Sequence, residues 1–183
     1  MLKFKGKSLF LSLILLLIFA VPASVYADEG VYIAPDYVDV SGGEVLASYV
    51  LPVILNEETN EVTIQSPKDE NVASRAPLKD GIHVADVNVT VIKQGNYIYG
   101  DFKITTISIY GGILSYAFDA AWSNGFNDPV TGFGGGLKTV LDQSQTTFNT
   151  AGAHTLNVWG WTLLTTGYNA TMDEPLILPF TTD

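Results

Sequence analysis

Two histidines, His83 and His154, nineteen acidic residues and no cysteine are what the 183-residue chain offers for chemistry. Nucleophilic catalysis needs a serine or threonine beside a histidine that an acid orients. No Gly-x-Ser-x-Gly elbow supplies one. His83 follows Asp80-Gly81 at the entrance to a strand and reads as a surface residue. His154 falls on a chain corner, where a polar ring is expected to make a structural hydrogen bond. Without cysteine there is no thiol nucleophile, thiolate metal site or disulfide framework, and no His-Glu-x-x-His spacing suggests zinc. Calcium needs only oxygen ligands, and Asn124-Gly125-Phe126-Asn127-Asp128 could contribute some. That loop lacks the alternating acidic ladder, so its Asn and Asp residues are expected to shape a turn. Gly132 and Gly134-Gly135-Gly136 lack the lysine and helix start of a phosphate loop and read as a flexible loop. A glycosidase-like carboxylate pair is a hydrolase alternative that no particular pair of acids singles out. The expectation is therefore no catalytic residue, no cofactor and no metal. Trp159 and Trp161 remain as candidate ligand contacts.

The ends and the charge say where such a protein works. Lys3, Lys5 and Lys7 precede an apolar run from Leu9 to Val21, and Val25-Tyr26-Ala27 closes it with small residues where a signal peptidase reads. The run is shorter than the roughly 20 residues of a spanning helix. Residues 1–27 are expected to be a signal peptide cleaved after Ala27, releasing a secreted protein of Gram-positive bacterial type. The C-terminal residues carry neither an apolar tail nor a wall-sorting signal. Removing three lysines and no acids shifts the formal net charge from −10 to −13. Such a surface repels phosphate backbones and anionic lipid, which disfavours nucleic acid and membrane partners.

The elements that must position the tryptophans are strands. Residues 28–43 hold no period and read as a loosely tied arm, Glu44–Leu55 and Glu61–Gln65 as a hairpin, and the Pro-rich stretch from Ser66 to Gly81 as a linker. Any boundary lies near Arg75, with 82–183 the β core and 28–183 one domain. Val87, Val89 and Val91 share a face, and Gln94-Gly95-Asn96 turns the chain into Tyr97–Ile109. There Phe102 and Ile104 clash in parity with Ile107 and Ile109, which predicts a bulge near Thr105-Thr106. After Gly111-Gly112, Leu114, Tyr116, Phe118, Ala120 and Trp122 keep strict period two. A membrane-inserting hairpin over Phe102–Trp122 would show the same alternation as ordinary strands. Leu137–Phe148 reads as a weaker strand, and Pro175 and Pro179 mark Leu176–Thr181 as an edge strand. Turns about every 8–12 residues with no sustained helical period indicate an antiparallel sandwich.

Phe148, Gly152, His154, Thr155, Leu156 and Val158 lie in a β corner. This corner resembles the Phe-x-x-x-Gly-x-Tyr-Thr-Val-x-Val corner of secreted bacterial immunoglobulin-like modules of the PKD type, with His154 in the tyrosine's place. The resemblance covers residues 146–161 and implies an immunoglobulin-like sandwich. It also implies that His154, Leu156, Val158 and Gly160 face the core, so that Trp159 and Trp161 point outward with Thr155 and Asn157. Two bare indoles would form an apolar patch. Either Val45–Leu55 folds back over them, which is the expectation here, or the pair docks a sugar ring or a partner protein. The chain is thus expected to be a binding or interaction module and not an enzyme, with a carbohydrate-binding module as the alternative.

Overall fold

The computed structural model describes residues 30–66 and 81–183. The expected signal peptide, and residues 67–80 of the expected linker with Arg75, lie outside that range. The elements are β1 (Val31–Ile33), β2 (Glu44–Asn56), β3 (Glu61–Ile64), β4 (Ile82–Gln94), β5 (Tyr97–Thr106), a 3-10 turn (Ser108–Tyr110), β6 (Ile113–Trp122), β7 (Val130–Gly132), β8 (Thr139–Thr146), β9 (Gly152–Leu164), β10 (Asn169–Met172) and β11 (Leu176–Thr182). The described chain is all-β. Its strands form one continuous sheet in the order β1-β8-β5-β4-β2-β3-β10-β9-β6-β7, with β11 beside β9. Pairing is antiparallel except for β1 with β8 and β3 with β10.

Local sequence accounts for the longest strands. On β4, Val87, Val89 and Val91 are fully buried, and Gly95, at φ 61°, opens the two-residue turn that sets Gln94 opposite Tyr97. A positive φ in the first turn position is the case in which glycine carries no steric cost. On β6, Tyr116, Phe118, Ala120 and Trp122 all face inward, as their spacing predicts. A register shift between Ile113 and Ser115 turns Ile113 into the core and leaves Leu114 half-buried.

Four expectations are corrected. The arm is anchored: β1 pairs with β8, and Val38 exchanges two hydrogen bonds with the Gln143 side chain, N to Oε1 at 3.0 Å and Nε2 to O at 2.9 Å. β5 carries no bulge; it stops at Thr106, whose Oγ1 donates to the Gly111 carbonyl at 2.8 Å, and Ile107 and Ile109 are left in solvent. The glycine loop is pinned to β6, with the amides of Gly134 and Gly136 donating to the carbonyls of Leu114 and Ile113, both at 2.9 Å. Lastly, β2 does not fold over the tryptophans. It pairs with β4 from Glu44 to Leu55 and buries Tyr49, Leu51, Val53 and Leu55 in the main core.

The sheet doubles over, so strands distant in its order face one another. Phe102 on β5 meets Phe118 on β6 with ring centroids 5.6 Å apart. β8 turns Val140, Asp142, Ser144 and Thr146 inward. Tyr116 Oη donates to Asp142 Oδ2 at 2.7 Å, Trp122 Nε1 to Ser144 Oγ at 2.8 Å, and Asn124 Nδ2 to Thr146 Oγ1 at 2.9 Å. A polar side chain can sit in a core when its partner is in reach. This ladder explains why β8 lacks an apolar alternation in sequence. β5 and β6, despite the glycine pair between them, do not pair as a hairpin.

Candidate functional site: the open face of β9

β9 runs through the middle of its part of the sheet, with β6 along one edge and β11 and then β10 along the other. Its inward side chains are Leu156, Val158, Thr162 and Leu164, with Gly160 among them. A Cβ at Gly160 would run into the Ala117 carbonyl and the Phe118 side chain. Glycine is needed there because the Phe118 ring occupies that inward space. The same alternation sends Asn157, Trp159 and Trp161 outward, and the indoles are 41% and 36% exposed. Trp122, the third tryptophan, is 3% exposed.

The register places neighbours around the pair. Trp161 lies between Ala117 of β6 and Thr171 of β10, Trp159 lies opposite Asp119, and Asn157 lies between Ala121 and Ile177. On β6, Ala117 beside Trp161 stands too low to cover its ring, and Asp119 beside Trp159 is exposed, as are Asn157 and Thr171. Across β6, β9, β10 and β11 there is no lysine or arginine, and Asp119 is the single carboxylate. This surface can stack an apolar ring face, accept and donate hydrogen bonds at its margins, and offer one negative charge.

The other candidate groups are engaged elsewhere. His154 stacks on Phe148 with centroids 3.9 Å apart, and its Nε2 lies 3.2 Å from the Thr150 carbonyl and 3.1 Å from Thr182 Oγ1. It ties the corner to the C-terminal strand, beside an open cleft of about 680 Å³ that Ser123, Asn124, Phe126, Asn149 and His154 help to line. His83 Nε2 is 2.9 Å from Asp86 Oδ1. A register shift on β4 brings the two to one face although they are three residues apart. In the loop considered for calcium, Asn124 Oδ1 accepts from the Phe126 amide at 3.0 Å, and Asp128 Oδ2 accepts from the Gln145 amide at 3.0 Å. Those oxygens shape a turn and fasten it to β8. Among the described residues no group of three or more His, Asp or Glu side chains is arranged to hold a metal.

Sequence reasoning missed the buried pair Tyr116 and Asp142. Burial pushes the Asp142 carboxyl above its ordinary range, against the lowering effect of the hydrogen bonds from Tyr116 and the Gln143 amide. Burial, and then the Asp142 carboxylate, hold the Tyr116 phenol protonated well above its usual range. The signal lay in the parity of Val140, which puts Asp142 and Ser144 on the same inward side. Asp119 was missed too, because its place beside Trp159 is a matter of strand register. No family model, curated protein or solved structure matches the chain.

Proposed function

We propose that this chain is an exported bacterial binding module, an immunoglobulin-like β-sandwich without catalytic activity, whose ligand is a carbohydrate held on the Trp159–Trp161 face. The observation that carries the proposal is the pair of indoles exposed on a sheet face, Trp161 beside Ala117 and Trp159 beside Asp119. An indole covers the C–H face of a pyranose ring, while Asp119, Asn157 and Thr171 lie where ring hydroxyls would need partners. The doubled-over sheet supports the sandwich reading, and the lysine-rich apolar N-terminus supports export. A protein partner would use the same aromatics, but Asp119, Asn157 and Thr171 beside them suit a hydroxylated ligand. The test is retention of the full mature chain on insoluble polysaccharides, compared with Trp159→Ala/Trp161→Ala. Binding that falls at least tenfold in the double variant, with its thermal unfolding unchanged, is the expected result. If no polysaccharide retains the wild type, the proposal fails.

A further inference from the structure

The charge on the open face narrows the ligand. We propose that the face takes a glycan bearing free amino groups, a poly-glucosamine type of polymer, with the ammonium group at Asp119 and the sugar ring on Trp159. The inference rests on the carbohydrate reading above and adds the sign of the ligand's charge.

Three observations carry it. Asp119 is directly opposite Trp159 across the β6–β9 pair, and both are exposed. In an antiparallel sheet such cross-strand partners have Cβ atoms about 4.5–5.5 Å apart, so one sugar residue can reach the indole and the carboxylate together. Among the described residues, the four strands of the face hold no lysine or arginine to match the Asp119 carboxylate. The whole chain carries a formal charge of −10. Its field draws a polycation inward and repels uronate, sulfate or phosphate polymers. Chemistry supports the same sign locally, because an indole face attracts an ammonium group and a carboxylate pairs with it. A neutral glucan would use the indoles and gain nothing from Asp119 beyond a hydroxyl hydrogen bond.

The experiment compares soluble chitosan, neutral hydroxyethyl cellulose and polygalacturonate as ligands for the full mature chain, read by tryptophan fluorescence and by retention in affinity electrophoresis. The variants are Asp119→Asn, Trp159→Ala and Glu57→Gln. Glu57 lies in the exposed turn between β2 and β3, so its change alters net charge equally, away from the face. Chitosan should bind at least tenfold tighter than the neutral polymer at low salt. Asp119→Asn should remove most of that preference, Glu57→Gln should leave it, and Trp159→Ala should lose binding to both polymers. The amino-glycan inference is overturned, and carbohydrate binding kept, if chitosan binds no tighter than hydroxyethyl cellulose. Equal weakening by Glu57→Gln and Asp119→Asn also overturns it, since net charge alone would then account for the preference. If none of the three polymers binds, the inference falls together with the reading it rests on.

Discussion

Single residues in this protein are placed by what their neighbours leave free. Gly160 separates the two exposed tryptophans because the inward space is taken by Phe118 and the Ala117 carbonyl. Asp142 is inward because Tyr116 Oη and the Gln143 amide give its two oxygens a donor each. Those bonds do not fully offset burial, so the folded carboxyl keeps its proton to a higher pH than the unfolded one. Between the ordinary value of 3.8 and the raised one, the native state therefore binds more protons than the unfolded state. Stability is lost as pH rises through that window and is recovered below it. Asp142→Asn should remove this part of the slope while other carboxylates keep theirs. Urea midpoints measured across mildly acidic to neutral pH should show the variant gaining on the wild type as pH rises. Parallel curves for the two proteins would refute the assignment.

At the scale of elements, β9 has two chemically different sides. One is sealed by Leu156, Val158 and Leu164, and the other carries Trp159 and Trp161 in water. Trp122 belongs to β6 and donates its indole N–H to Ser144 in the core. Steady-state quenching should separate them. Acrylamide should quench most of the wild-type emission, whereas Trp159→Phe/Trp161→Phe should leave a blue-shifted emission from Trp122 that acrylamide barely reaches. Strong quenching of that remaining emission would mean that the β6–β8 ladder is open in solution. β11 supplies the companion edge to β9, and Pro179, which has no N–H to give, sits opposite Thr155 where no further strand needs one.

On the scale of the whole molecule, the N-terminal hairpin is structural material. Tyr49, Leu51, Val53, Ile54, Leu55, Val62 and Ile64 are all buried, and each such side chain contributes about 1.5–3 kcal/mol. Their sum matches or exceeds the whole stability of a typical domain, about 5–15 kcal/mol. A chain beginning after Ala76 should therefore give a disordered circular dichroism spectrum and no cooperative thermal transition. A folded product would show that β4–β11 form a core of their own. The sequence by itself determined the strand character of the chain, the turn at Gly95-Asn96, the inward set on β6 and the placing of Trp159 and Trp161 on one face of their strand. Each of these follows from a two-residue period or a turn residue, which are local properties of the backbone. Tertiary structure decided the rest. β1, β7 and β10 have three or four residues each, too few for a period to declare itself, and they exist because a neighbouring strand offers them hydrogen bonds. β8 has polar residues on its inward side because hydroxyl, indole and amide partners wait across the core. Whether the tryptophans are covered depended on where β2 goes, and β2 found its partner in β4, along the sheet and away from that face. Asp119 meets Trp159 only through the register of two strands some forty residues apart in the chain, a pairing that long-range packing fixes and no local pattern contains.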